Sequence, residues 1–218
     1  MSKILNTDIL VVGGGLVGSL FANFAADAGF EIVLVDKSDI QEFSKPGFDG
    51  RASAVSFRNK EILAKNNIWS HLETNAQPIL DIRVSEEDSK SFLHFDHQNI
   101  GNEPLGYMLE NRYLRKVFYN KLIKRKNIKI FNGNEVKEFF NTSGNISCKL
   151  SNSIVINSSL LIAADGSNST FRRKSNIDVF YKDYKQTAIV ATVKHEKPHN
   201  GVAHERFRSP GPFAILPL

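Results

Sequence analysis

The sequence holds one cysteine, one tryptophan and two methionines, and it has no apolar run long enough to cross a bilayer. A lone Cys148 excludes an internal disulfide and any Cys-x-x-Cys metal or redox site, and it suits a reducing compartment. It stands in the alternation Ile146, Cys148, Leu150, which reads as the packed face of a strand. There is no Gly-Lys-Ser/Thr phosphate loop and no His-Glu-x-x-His. None of the six histidines has metal-ligand spacing, and His94 and His97 read as flanking a strand end. Charge of one sign is also scarce. With 28 basic and 23 acidic residues the net charge is +5, too slight for a nucleic-acid partner when no basic-aromatic motif accompanies it. The densest basic cluster, Lys121 to Lys129, falls at a predicted helix end, where cations complement the dipole. No internal repeat or low-complexity linker interrupts the chain. Met1 to Asn6 is too short and polar for a secretory signal, so the expected compartment is the cytoplasm.

What is present is concentrated at the start. Asp8 to Val12 and Glu31 to Val35 are short apolar runs of the kind buried on both faces of a parallel sheet. Between them, Leu16 to Ala28 reads as a helix rich in small residues, with Gly29 placed to end it. Gln41 to Arg58, holding Pro46, Gly47 and Gly50, reads as a loop leading to a helix near Asn59 to Asn66. Ile82 to Ser85 and Phe92 to Phe95 predict two strands joined by an acidic turn. Arg112 to Lys126 carries apolar residues at helical spacing, and Ile128 to Phe131 is a further strand. Ile146 to Leu150 and Ile154 to Ile156 predict a hairpin, and Leu160 to Ala164 another buried strand. Ala188 to Val193 and Phe213 to Leu216 are predicted as strands separated by a polar loop. This order favours an α/β nucleotide-binding part with a mostly antiparallel part inserted into it, over two sequential domains.

Gly13-x-Gly15-x-x-Gly18 lies directly between the first strand and the helix. The first glycine permits the tight turn, the second lets the backbone approach a pyrophosphate, and the third lets helix and strand pack closely. Asp36, 21 residues after Gly15, ends the second strand, where a carboxylate can accept from a ribose diol. Strand, glycines, helix, strand and acid in this order predict a dinucleotide site, and leave NAD and FAD both open.

Three later segments carry a resemblance. Asp49-Gly-Arg-Ala-Ser-Ala-Val-Ser56, Gly106-Tyr-Met-Leu-Glu-Asn111 and Leu160-Leu-Ile-Ala-Ala-Asp-Gly-Ser-Asn-Ser169 are similar to stretches of the FAD-dependent aromatic hydroxylases, and most closely to the ubiquinone-biosynthesis hydroxylase family. The resemblance runs from Ile9 to Leu218 and implies an FAD-binding, Rossmann-like fold of the glutathione-reductase type, interleaved with a mostly antiparallel β substrate domain. It implies FAD-domain parts at 1–78 and 111–178, and substrate-domain parts at 79–110 and 179–218, the last incomplete. By the same resemblance Arg51 would reach the FAD pyrophosphate, Asn111 the ribityl chain or flavin edge, and Asp165 with Gly166 the FAD near the nicotinamide route. Asn132-Gly-Asn-Glu-Val136 is a smaller match, in which the Val136 backbone would meet the adenine.

The chemistry so implied is hydroxylation of an aromatic ring, with NAD(P)H as transient reductant, dioxygen as co-substrate and a flavin C4a-hydroperoxide as oxygen donor. The protein would hold the flavin, exclude water and orient the ring, so no side-chain nucleophile, catalytic residue or metal is expected. The implied substrate is a polyprenylated phenol. It implies association with the inner face of the membrane or with a ubiquinone-biosynthesis complex, without a spanning helix. Full-length members continue past the position of Leu218 with a further flavin-closing motif, so the chain is expected to be truncated. Competing readings are an FAD-binding fragment without turnover, a flavin epoxidase, halogenase or prenyl reductase of the same fold, and an NAD-dependent dehydrogenase. The last accounts for Gly13 to Asp36 but leaves Arg51, Asn111 and Asp165 unexplained.

Overall fold

A computed structural model describes residues 3–45, 47–142 and 144–218. Met1 and Pro46, on which expectations were placed, lie outside the described residues. In chain order the elements are β1 (Ile4–Val12), α1 (Leu16–Asp27), β2 (Ile32–Val35), β3 (Ala52–Ser56), α2 (Phe57–Lys65), β4 (Gln77–Ile79), β5 (Asp81–Glu86), β6 (Phe92–Asp96), β7 (Gly106–Glu110) and α3 (Asn111–Leu122). There follow β8 (Ile128–Phe131), β9 (Val136–Thr142), β10 (Asn145–Leu150), β11 (Val155–Ala163), α4 (Thr170–Lys174), β12 (Val202–Phe207) and β13 (Phe213–Ile215). Two compact units interleave along the chain: 1–46 with 115–187, and 47–114 with 188–218.

The first unit is built on a sheet whose order, among the described residues, is β8-β2-β1-β11-β10-β9. β8, β2, β1 and β11 run parallel, while β10 pairs antiparallel with β11 and β9 antiparallel with β10. Strand pleating sends alternate residues to opposite faces. Ile9, Val11, Ile32 and Leu34 pack on one side with Ala22 and Ala26 of α1 and Tyr119 and Leu122 of α3. Leu10, Val12, Val33 and Val35 pack on the other with Cys148, Leu150, Ile156 and Phe171. Continuous apolar runs are what a strand covered on both faces requires. The small residues of α1 let the helix lie close to β1 and β2. Asn23 of α1 is fully buried, donating to Ser19 O at 2.9 Å and Phe118 O at 3.1 Å, so a polar group in this core is satisfied and ties α1 to α3. The basic cluster has a local use as well: Lys121 and Arg125 both pair with Asp27 at the end of α1.

The second unit has a three-stranded sheet, β3-β7-β4, and a four-stranded one, β13-β12-β5-β6. β12 and β5 are parallel and the other pairs antiparallel. Ile79, Met108 and Ala203 form one buried cluster there, with Ala52 and Ile82 against it, and Leu63, Ile68, Trp69, Leu72 and Leu109 are buried as well.

Four expectations are corrected. Ala52 to Ser56, taken as loop, is β3, because its short alternating pattern pairs residue for residue with β7. Ser56 then caps α2, its Oγ accepting from Asn59 N, so the helix starts at Phe57. Leu160 to Ala163 is no separate buried strand but the second half of β11, and Leu160 is 47% exposed although Leu161 and Ile162 pack against the cores on either face. The polar stretch Val202 to Phe207 is β12, held by ladders on both sides although its side chains are mostly polar. Ala188 to Val193 forms no strand, since none of the strands described pairs with it. Cys148 is buried as its alternation predicts, and desolvation pushes its thiol pKa to about 11.

Candidate dinucleotide site

The parallel strands of the first unit end level with one another. Val12 is opposite Ala163 on one side and Val35 on the other, and Val35 is opposite Phe131. The residues that follow therefore share one sheet edge: Gly13, Asp36, Asn132, and Ala164 with Asp165. That edge, at the carboxyl ends of parallel strands, is where open α/β sheets bind ligands.

The glycines at this edge divide by what demands them. Gly13 has φ +104°, and a Cβ there would lie 2.2 Å from Ala164 O. A Cβ on Gly18 would lie 1.8 Å from Gly13 O. Both are required by the protein's own backbone, one by the turn and one by the approach of α1 to the loop. Gly15 differs. Its φ of −64° and ψ of −170° suit any residue, and a Cβ there would meet nothing within 4 Å. Beyond its place as the N-cap of α1, packing gives no reason for a glycine at position 15. Open space beside the amide end of the twelve-residue helix α1 is what close approach of a phosphate group would use.

Asp36 faces back onto this loop. Its Oδ2 accepts from Gly14 N–H at 2.5 Å and its Oδ1 from Ser38 N–H at 2.7 Å, which fixes the carboxylate at the strand end with lone pairs to spare. Asp165 accepts from Thr170 N–H through Oδ2 at 2.9 Å, while its Oδ1 is buried without a partner. Gly166 beside it has φ +88° and so makes the turn that leads to α4. Asn132 Oδ1 is a second buried acceptor without a partner at the same edge. Buried polar atoms left unpaired are few in native proteins, and a bound group is one explanation for them. Asn132 was not among the site residues predicted from the sequence. Its signal was its place directly after a parallel strand, which the motif reading passed over in favour of Val136. The Val136 side chain itself lies in the core with Leu10 and Val35, leaving its backbone at the start of β9.

The remaining predicted residues lie in the second unit and come together there. Asn111 N donates to Arg51 O at 2.9 Å, extending the β3–β7 ladder in which Ala52 faces Glu110. Asn111 Oδ1 accepts from Ser53 Oγ at 2.6 Å. The Arg51 side chain is exposed, and its backbone amide is held by Asp49 Oδ1 at 3.1 Å. The neighbouring Arg112 is held by Glu110 at 2.9 Å and stacks over Phe48 and Tyr113, with the carboxylate raising its pKa further. A groove of 460 Å³ in the first unit touches this machinery only through Gly166. It lies instead against Phe139, Ile146, Leu161 and Phe171, and none of Gly13 to Gly18 or Asp36 lines it.

The sequence profile of the FAD binding domain family matches residues 6–212. The chain is 37% identical to the ubiquinone hydroxylase UbiL of Rhodospirillum rubrum over 97% of its length, and 31% identical to the ubiquinone hydroxylase UbiM of Neisseria meningitidis over 98%. It is 27% identical to the 3-demethoxyubiquinol 3-hydroxylase of Escherichia coli. It spans about half the length of these relatives: 49%, 48% and 54%. Among solved structures, Pseudomonas aeruginosa PqsL shares the fold with a TM-score of 0.70 at 16% identity, over 82% of this chain and 48% of that one. The p-nitrophenol 4-monooxygenase PnpA of Pseudomonas putida does so with a TM-score of 0.66 at 19% identity, over 79% and 44%.

Proposed function

This chain belongs to the FAD binding domain family, and from that premise we propose that it supplies the FAD-holding part of an aromatic-ring hydroxylase of ubiquinone biosynthesis. The observation that carries the reading is Gly15, a glycine that packing and backbone geometry leave unexplained and that an incoming pyrophosphate explains. Gly13, Gly15 and Gly18 with the start of α1 would hold the pyrophosphate, Asp36 the adenosine ribose, and the Val136 backbone the adenine. Asp165, with its unpartnered Oδ1, and Gly166 would receive donors of the bound cofactor. Arg51 would give its exposed guanidinium to phosphate oxygens, and Asn111 its amide to the ribityl chain.

Bound FAD, reduced by NAD(P)H, would activate dioxygen for insertion into the ring of a phenol. The chain's own part would be to bind, orient and exclude water. The curated relatives named above are ubiquinone hydroxylases, which supports a prenylated phenolic substrate and thereby contact with a membrane surface. No helix among the described residues is long and apolar enough to cross a membrane.

A second reading, cofactor binding without turnover, is favoured by the apolar side chains that the second unit leaves uncovered, among them Leu93 and Phe95. An absorbance spectrum separates the readings' common premise from its failure. The purified chain, mixed with FAD and freed of excess by gel filtration, is expected to retain flavin bands near ~370 and ~450 nm, wavelengths characteristic of the cofactor itself. Folded protein emerging without flavin would remove the proposal. Retained flavin with no NADH oxidation in the presence of phenols would select the second reading.

A further inference from the structure

The sequence and the structure disagree most sharply over Ala188 to Val193. The run Ala-Ile-Val-Ala-Thr-Val is dense in β-branched residues and has the length of a strand. It is bounded by left-handed residues, Lys185 at φ 54° on one side and Asn200 at φ 52° on the other, so it is punctuated as strands are. Yet none of the backbone hydrogen bonds among the described residues involves it. Ile189 is 94% exposed, Val190 77% and Val193 72%. A solvated irregular loop has no use for three such side chains in five positions, and their burial together is worth several kcal/mol.

The four-stranded sheet of the same unit shows a related deficit. The pairing registers place Ile82, Val84, Leu93, Phe95, Ala203 and Phe207 on one face. Of these, Leu93, Phe95 and Phe207 stay about half exposed or more. Glu86 and Glu205 share that face, so its exposed apolar side chains form a patch within it, and pairing of the apolar strand with further polypeptide would cover both. The relatives contain it: each carries about as many residues again as this chain spans.

We propose that Ala188–Val193 is a docking strand that forms only by pairing, through its backbone, with polypeptide equivalent to the half of the relatives' length that this chain does not span. The interaction is β-augmentation: ladder bonds give the affinity, and Ile189, Val190 and Val193 give the register. It does not depend on the cofactor reading, since neither FAD nor any residue assigned to it takes part.

Hydrogen exchange read by mass spectrometry tests this on the whole chain, alone and produced together with the unmatched half of the Rhodospirillum rubrum ubiquinone hydroxylase. The amides of 188–193 are expected to exchange freely in the chain alone at every concentration, and about 100-fold more slowly in the complex. V190P removes one ladder donor; it should leave the thermal midpoint of the chain alone unchanged and abolish the protection in the complex. V190T, which keeps β-branching, should retain the protection. The proposal is overturned if the amides are already protected in the chain alone, or if protection grows with the chain's own concentration and so reports a second copy. It is equally overturned by a complex that leaves 188–193 unprotected, or by no complex at all.

Discussion

The two main sheets of this chain are built from the same residue types and put them to different use. In the first unit, Leu10, Val11, Leu34 and Val35 are wholly buried, because helices and a β-meander cover both faces of the parallel strands. In the second, Leu93, Phe95 and Phe207 sit at comparable places on strands and remain about half exposed or more. What separates them is coverage rather than composition. A βαβ unit brings its own covering helix within the connection between its strands, so a short stretch of chain completes it. The mostly antiparallel sheet of the second unit carries no such built-in cover, and a sheet of that kind can leave one face to solvent. The parallel sheet is therefore stabilised by contacts that the chain itself supplies, while the four-stranded sheet keeps apolar surface in reserve.

The largest effects should come from breaking the first unit where it has no slack. Gly18→Ala puts a methyl group against the carbonyl oxygen of Gly13, a backbone atom that cannot turn aside. A loss of about 3 kcal/mol or more is expected, read as a lower denaturation midpoint. Leu34→Ala should follow at about 2–5 kcal/mol, the range for emptying a fully buried leucine site. Leu93→Ala is the control from the other sheet: at 65% exposure it should cost under ~0.5 kcal/mol. Equal losses at positions 34 and 93 would erase the contrast.

Within the glycine loop the comparison sharpens to a single turn. Gly15→Ala enters open space with an ordinary backbone conformation, so it should cost at most about 1 kcal/mol, the price of a poorer helix cap. It should nonetheless weaken FAD retention about tenfold or more in a flavin titration, because the added methyl stands where the pyrophosphate would lie. A variant that binds FAD as well as the parent would leave Gly15 without a role.

How much of this was legible beforehand follows the same division. The path from β1 to β2, the cap at Gly29 and the buried Cys148 could all be read because each depends on neighbours within about forty residues. The edge that gathers Gly13, Asp36 and Asp165 was legible through motifs. Asn132 reaches the same edge only because four strands end level, which no local pattern records. β12 was misread for a parallel reason: Val-Ala-His-Glu-Arg-Phe has little apolar alternation, and it is a strand because β5 and β13 flank it. Ala188 to Val193 is the converse, a strand by propensity that has no ladder. Propensity proposes and pairing decides, so the misread segments are those whose own pattern and ladder disagree.

The smallest effects are electrostatic, and the two units should show them at opposite ends of the pH scale. In the first, burial raises the Cys148 thiol to about 11, against an ordinary value near ~8.5 in the unfolded chain. The unfolded state therefore loses this proton first. Whatever the neutral thiol contributes is fully present below the ordinary value and is lost as pH rises toward the folded one. C148A should flatten that alkaline decline, and the native thiol should resist alkylation at neutral pH. In the second unit, the Ser209 N–H at 3.0 Å and then Arg208 at 3.2 Å hold the partly exposed Glu87 carboxyl below its usual range. Here the sign reverses: the contribution is present above the ordinary carboxylate pKa and lost as pH falls through the lowered one. Because Glu87 is solvated the effect should be slight and salt-sensitive. It is best read locally, as faster exchange of the Ser209 amide in acid, which E87Q should reproduce at neutral pH. An amide whose exchange, after allowance for the intrinsic pH dependence, ignores both acid and E87Q would mean that this contact adds nothing to the order of the β12–β13 turn.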